Sequence, residues 1–524
     1  MLRHGLKTIL ASAFTLMVAM STAAADQPAD TNWLTYNRTA NGQRYAPLAQ
    51  INADNAAELK EVCRVQVAET GSFQTSPLEI DGTLFVTTPH DTLAIDASDC
   101  EILWRNVYQP EQREVYQTNR GVAYANGHLF RGTPDGRLLS IDAKTGKTIW
   151  QEQIANPLMG EFVSAAPAVW EGLIIVGTAG GDWGARGRVM GFDQATGREV
   201  WRFNTIPTGD EPGADSWKNS ISAHHGGGGT WTTYTVNMAT GQVYIPVGNP
   251  APDLLPHYRP GANLYTNSVV VLDARTGELD WYYQLSPHDG HDLDLGAAPT
   301  LYWSSDSVPM LALAGKDGHI YGVSRRSHEA RFRTAITTIK NEGVTPTPKG
   351  VHVCPGPLGG TEWNGVAYDR KNHQLIAPTV DWCATLTASK DKVEYRPGEF
   401  YFGGTWQMDP KPAGWLNAVN PDTGEILWRY HADSPMVAGV TPTAGGVTFT
   451  GDMAGNFLVF DSVTGKLLLK SPTGGSLAGG VITYRLDGRQ YVALTSGNVS
   501  RLTFAKASGG HPSILVYALP KTGD

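Results

Sequence analysis

Short apolar segments alternate along this chain with tight turns rich in Asp, Thr and Gly. Six near-copies of one phrase organise the pattern: IDASDCEILW (95–104), IDAKTGKTIW (141–150), FDQATGREVW (192–201), LDARTGELDW (272–281), VNPDTGEILW (419–428) and FDSVTGKLLL (460–469). Each reads as a strand ending in Asp or Asn, a tight turn carrying Thr-Gly in most copies, and a second strand that usually closes on Trp. Trp104, Trp150 and Trp201 stand 46 and 51 residues apart. A repeat near that period with β content predicts propeller blades. One blade cannot bury both of its faces, so neighbours must stack in a ring. The expected fold is an all-β, eight-bladed propeller occupying residues 26–524 as a single domain, with seven blades as the fallback. The six phrases and the turn in NMATGQVY (237–244) account for seven blades, and 301–380 has room for more.

Bulk properties adjust this picture only slightly. A length of 524 residues would ordinarily suggest several domains, but one closed propeller absorbs it; 59 Gly and 32 Pro suit many tight turns. The stretch 32–60 leads into the first blade and is expected to wrap or close the ring. The polar stretch 384–404 has the length of a loop that covers or lines a site.

Residues 1–25 read as an export signal. Arg3, His4 and Lys7 form a basic start, the apolar run from Ile9 to Met20 is short for a bilayer span, and Ala23-Ala24-Ala25 suits cleavage before Asp26. The alternative is a membrane anchor; no later stretch is apolar enough to span, so stable membrane insertion is not expected. The net charge is −9 overall, and because the signal carries Arg3 and Lys7 and no acids it is −11 without it. That argues against nucleic acid as a partner and allows a basic protein partner. Four cysteines in an exported chain suggest two disulfides. Of the three pairings possible, Cys63–Cys100 and Cys354–Cys383 are favoured because each staples neighbouring strands locally. There is no Cys-x-x-Cys-His for c-type haem and no zinc-ligand spacing.

Candidate chemistry lies where the regular phrase breaks. GTAGGDWGARG (177–187) lets backbone approach a ligand at Gly180 and Gly181 and projects Asp182. In HHGGGGTWTTY (224–234) four glycines are expected to clear space around Trp231, which suits a planar ligand stacked on the indole. VGNPAPD (247–253) offers the neutral oxygen of Asn249, and PHDGHDLDLGAAP (287–299) crowds Asp289, Asp292 and Asp294. Turn glycines, a core tryptophan and a solvated acidic loop are the structural alternatives. Together, Asp182, Asn249 and Asp292 offer the oxygens a hard cation requires. A transition metal on His224, His225, His288 and His291 fits less well, since their spacing gives no helical or sheet pairing.

These motifs, in this order, resemble the quinoprotein alcohol dehydrogenases, which bind pyrroloquinoline quinone (PQQ) in an eight-bladed propeller; the likeness runs from NWLTYNRTANGQRYAPLAQINADN to ITYRLDGRQYVALTSG. The resemblance implies metal ligation by Asp182, Asn249 and Asp292, with Asp292 also the catalytic base. It implies cofactor contacts from Arg120, Ser164 (in place of a Thr) and Lys316, with Trp231 as the floor under the quinone. Cys354 and Cys383 fall where the family has a structural disulfide. Three departures bear on the pocket. Glu114 and Val115 stand where many members have two adjacent cysteines over the quinone, as they are also missing in the membrane glucose dehydrogenase branch. Gln74 replaces a contacting Glu, and Glu362 a contacting Asn. Asp294, two residues beyond the catalytic Asp, resembles a lanthanide signature, but a similar acidic pair occurs in the glucose-type branch; calcium is the favoured ion, with a lanthanide as the alternative.

The implied activity is periplasmic PQQ- and metal-dependent oxidation of an alcohol or polyol hydroxyl to the carbonyl. Electrons would pass to a separate acceptor such as a periplasmic cytochrome c. The missing cysteine pair also makes room for a bulky, polymeric or secondary alcohol. The competing reading is a non-catalytic propeller scaffold of the outer-membrane assembly type.

Overall fold

The computed structural model describes residues 1, 32–500, 504 and 509–521. Beyond Met1, the expected export signal at 1–25 lies outside the described residues. Eight four-stranded antiparallel sheets span 78–107, 123–153, 168–204, 235–284, 300–335, 367–432, 441–472 and 481–518, the last completed by the strand Lys60–Gln66. The innermost strands of successive sheets are neighbours, which makes the sheets blades around one axis. Central strands such as His319–Ser324 and Val447–Gly451 are buried throughout, because both faces meet adjoining blades. Outer strands such as Ile102–Val107 alternate between half-buried and exposed.

The repeated phrase joins the third and fourth strands of a blade, and the packing explains its composition. The closing Trp of one blade lies on the turn glycine of the next. A Cβ on Gly146 (φ +70°) would stand 2.6 Å from the Trp104 ring, and one on Gly197 2.9 Å from Trp150. Each indole N–H also donates to a carbonyl of the turn it covers: Trp104 to Ala143 at 3.1 Å, Trp150 to Gln194 at 3.2 Å, Trp201 to Ala274 at 2.9 Å and Trp428 to Ser462 at 3.0 Å. The blade at 300–335 lacks the phrase; His328 (φ +61°) takes the glycine's place and stacks on Trp281 at 4.3 Å. The turn in NMATGQVY is a different hairpin, joining Thr235–Asn237 to Gln242–Pro246 within a blade already marked by LDARTGELDW.

Both favoured disulfides form. In the first blade Cys100 (φ +67°) occupies the glycine position and is bonded to Cys63 in the strand Lys60–Gln66. That strand is the outer edge of the eighth blade, paired from Lys60↔Ala518 to Gln66↔Ser513. The bond therefore does more than staple local strands: at the seam of the ring, a covalent link replaces the tryptophan-on-glycine contact. Cys354–Cys383 clamps the base of an inserted three-stranded sheet, Val351–Val353, Ala384–Ala388 and Gly404–Met408. The stretch expected as a loop at 384–404 thus begins and ends in strands of this insertion.

The lead-in segment ties the ring together. Between Trp33 and Ile51 it exchanges hydrogen bonds with Glu79, Val236, Leu301, Tyr368, Pro442 and Gln490, which belong to six different blades. Arg44, fully buried, donates to the Val440 carbonyl and to Asn37 Oδ1.

Candidate active site

In an antiparallel blade, the loop entering the innermost strand and the loop joining the second and third strands lie at the same end. Every predicted site residue sits in one of these loops, and all twelve line one cavity of about 440 Å³. Gln74, Arg120, Ser164, Trp231, Asp292, Asp294 and Glu362 precede innermost strands; Gly180, Gly181, Asp182, Asn249 and Lys316 follow second strands.

Trp231 forms the floor. Its indole N–H donates to Asp294 Oδ1 at 3.1 Å, and its carbonyl accepts from Arg120 Nη1 and Ser164 Oγ, both at 2.9 Å. The Arg120 guanidinium carbon lies 4.7 Å from the Trp231 ring centroid and 5.0 Å from that of Trp363. Room for the indole comes from Gly296, where a Cβ would stand 2.8 Å from it, while a Cβ on Gly248 would strike Asp294 Oδ1 at 2.3 Å. The run Gly226–Gly229 was expected to supply that room. Instead, a Cβ on Gly226 would strike Trp217, one on Gly227 the Asn249 carbonyl and one on Gly228 Ile206, so these glycines let backbone loops pack against one another.

Beside the floor lies a dense set of buried acids. Asp289 shapes the loop at 287–299 by accepting the N–H groups of His291 and Leu293. Asp292 adopts φ +64°, a costly conformation for a non-glycine residue and one that gathers at functional sites. Lys316 Nζ lies 2.6 Å from Asp294 Oδ2 and 3.5 Å from Asp292 Oδ2. Asp294 Oδ1 also accepts the Asn249 backbone N–H at 3.0 Å. Burial opposes the charge on Lys316, yet Asp292 and Asp294 hold its pKa well above the usual value. Burial alone would raise Asp294, but Lys316 keeps it below the ordinary carboxylate range. Burial pushes Asp292 well up, and burial reinforced by Asp294 pushes Asp182 up to about 6. Burial likewise raises Glu362 to about 7 and lowers Arg120 to about 10.

One acid escaped the sequence reading. Carboxylate oxygens of Asp182, Asp253 and Asp292 all lie within 4.8 Å of one another. Asp253 ends the quoted run VGNPAPD, and its only sequence signal was its closeness to Asn249. Among the described residues, Asp292 Oδ1, both carboxylate oxygens of Asp253, Glu362 Oε1 and Gln74 Oε1 are buried without a hydrogen-bond partner. Five carboxyls, four buried (Asp253, Asp292, Asp294 and Glu362) and one half-buried (Asp182), face the two cations Lys316 and Arg120. Buried charge without compensation is costly, so the arrangement fits an added hard cation. The unpartnered acceptors and the flat indole floor likewise fit a planar, polar-edged ligand.

Glu114 and Val115 do not line the cavity. An aromatic arc flanks it instead: Tyr116–Phe162 at 5.9 Å, Phe162–Trp183 at 5.9 Å, Trp183–Phe400 at 5.4 Å, Phe400–Phe402 at 5.3 Å and Phe402–Trp406 at 4.6 Å between ring centroids. Half of this arc comes from the inserted segment.

Residues 33–330 and 405–492 match the family described as PQQ: glucose/ethanol/alcohol dehydrogenase, β-propeller domain. The gap at 331–404 contains most of the insertion. Quinoprotein alcohol dehydrogenase PedH of Pseudomonas putida is 29% identical over 511 residues, covering 87% of this chain and 84% of its own length. The quinoprotein ethanol dehydrogenase of Pseudomonas aeruginosa is 29% identical over 596 residues, covering 96% and 95%. A europium-containing methanol dehydrogenase superposes with a TM-score of 0.84 at 25% identity, covering 93% of this chain and 98% of the other. A family match over so much of the sequence means that the chain belongs to the PQQ-dependent glucose/ethanol/alcohol dehydrogenase family, quinoprotein oxidoreductases acting on CH–OH groups.

Proposed function

We propose that this chain is a periplasmic, metal-dependent member of the family that oxidises an alcohol with an apolar body and passes electrons to a separate acceptor. The observation that carries the reading is the convergence of Asp182, Asn249, Asp292 and Lys316 with Trp231 on one cavity. A non-catalytic scaffold has no use for so many buried acids. When bound, PQQ would take the two electrons and the carbinol hydrogen, helped by a hard cation that draws charge from a quinone oxygen.

The remaining roles fall to the chain. Asp292 takes the substrate's hydroxyl proton; burial pushes its carboxyl well up, and Lys316 beside Oδ2 together with the bound cation would offset that and favour the ionised form that can accept the proton. Asp182, Asn249 and Asp292 hold the cation. Arg120 and Lys316 supply positive charge toward the cofactor's carboxylates and oxygens. Ser164 and Arg120 fix the plane of Trp231 through its carbonyl. Gln74 and Glu362 present unpartnered acceptors to the ligand's edge. The aromatic arc excludes water and favours an apolar alcohol over the polyol also expected from the sequence.

Export through residues 1–25 suits two disulfides and an oxidising compartment. Among the described residues no helix is long and apolar enough to cross a membrane. The acidic net charge suits a basic cytochrome c as acceptor. The test is dye-linked oxidation by protein reconstituted with PQQ and calcium or a lanthanide, offering benzyl alcohol, 1-hexanol, sorbitol and glucose. PQQ-dependent turnover of the first two, abolished in Asp292→Ala, is expected. Turnover of the sugar and polyol alone would overturn the substrate class, and absence of PQQ uptake would overturn the function.

A further inference from the structure

Asp253 is 1% exposed, and neither of its carboxylate oxygens has a hydrogen-bond partner among the described residues. Arg259, the buried cation of the same loop, makes no hydrogen bond to it. Its Nε donates to the Pro252 carbonyl, its Nη1 to Asn263 Oδ1, and its Nη2 to the carbonyls of Asp253 and Asp289. Arg259 therefore fixes the backbone that carries Asp253 and acts on the carboxylate only through its field, which does not offset the burial and the neighbouring acids that push Asp253 well up.

What the carboxylate does face is Asp182 and Asp292, with oxygens of all three within 4.8 Å of one another. Two oxygens on opposite sides of a hard cation bound at about 2.3–2.6 Å stand about 4.6–5.2 Å apart, so the three fit around one such ion. Asp292 Oδ1 is also buried and unpartnered. Asp294 is differently placed. One of its oxygens accepts from Trp231 and Asn249, and the other pairs with Lys316.

We propose that Asp253 is a ligand of the site's cation, so that the ion is held by three carboxylates (Asp182, Asp253 and Asp292) with the Asn249 amide. The inference rests on the proposed metal-dependent function and adds to it a ligand from the Asn249–Asp253 loop. Three carboxylates around one ion match a trivalent charge, and the shell leaves fewer places for water.

The test uses terbium luminescence, excited through the site's tryptophans, on full-length wild type, Asp253→Asn and Asp253→Ala, with and without PQQ. Lifetimes in H2O and D2O count the waters on the ion. Circular dichroism shows that each variant is folded. Wild type is expected to bind terbium. The variants should bind at least about tenfold more weakly and carry added water on the ion. A calcium competition on the same samples reads the divalent ion. If folded variants keep the wild-type affinity and water count, Asp253 is not a ligand and the inference fails while the function stands. If wild type binds neither ion with or without PQQ, the metal-dependent function itself is wrong.

Discussion

Replacing Lys316 by Met removes the only side-chain cation paired with Asp294 among the described residues, and with it the charge 3.5 Å from Asp292. The apolar part of the side chain keeps similar volume, so the change is chiefly electrostatic. Breaking a buried ion pair from one side costs about 3–5 kcal/mol, because it leaves an uncompensated charge in a poor solvent. Here two carboxylates lose their partner, so the upper part of that range applies in the ion-free protein. The cost depends on pH with a fixed sign. Lys316 holds Asp294 below the ordinary carboxylate range; without it, burial raises Asp294 as it already raises Asp292. A carboxyl whose folded pKa lies above its unfolded value adds stability below the unfolded value and loses it as pH rises through the folded one. The deficit of Lys316→Met should therefore be small at pH 5 and grow toward pH 8. A bound cation supplies the missing charge, so adding calcium or a lanthanide should shrink the deficit at pH 8. Thermal unfolding followed by circular dichroism at both pH values, with and without ion, measures all four differences. An equal deficit at pH 5 and pH 8 in the ion-free protein would refute the electrostatic account and leave packing as its cause.

Cys63→Ser opens the seam; closing a loop of 37 residues corresponds to about 3.5–4 kcal/mol of chain entropy, so guanidinium unfolding should shift by that much, and an unchanged midpoint would show the seam to be held by strand pairing alone. Glu362→Gln removes a carboxyl pushed up to about 7 by burial, so wild-type stability should fall from pH 6 to pH 8 more steeply than the variant's; parallel profiles would count against that titration. Phe400→Ala breaks the arc between Trp183 and Phe402, and should raise KM for 1-hexanol several-fold with little change in kcat, as expected of a contact made equally in ground and transition states. Trp201→Phe keeps a ring on Gly277 but loses the bond to the Ala274 carbonyl, so it should cost about 1–2 kcal/mol by thermal unfolding; no loss would mean that solvent reaches that carbonyl.

Much of the architecture was legible because the docking contact requires particular residues. A tryptophan needs a turn without a Cβ beneath it, so Trp104 and Gly146 recur as a pair across blades. Where other groups solve the same problem, the glycine gives way, as at His328 and Cys100. The site residues were legible because each departs from the phrase. Their convergence was not, since it follows from the antiparallel geometry that brings two kinds of loop to one end. Asp253 was hidden for a related reason: nothing in its spacing from Asn249 reveals that Arg259 spends its donors on carbonyls and leaves the carboxylate bare. The partner choice of Asp294 depends on Lys316, 22 residues away and in the loop between the second and third strands of the same blade. The aromatic arc beside the cavity draws on an insertion whose strands carry no repeat phrase.

The strand Lys60–Gln66 pairs with Ser513–Ala518 and, among the described residues, with no earlier segment. During synthesis it is therefore made long before the strand it pairs with. Until some 450 further residues have followed, it presents an open β edge, the kind of template on which chains associate with one another. The three charged residues among the seven of KEVCRVQ, all exposed or half-exposed even after closure, suit a strand that must wait in water. A messenger truncated between the seventh blade and Ser513 would leave that edge permanently open, so the cell should treat such products as aggregation substrates rather than as partly active enzyme.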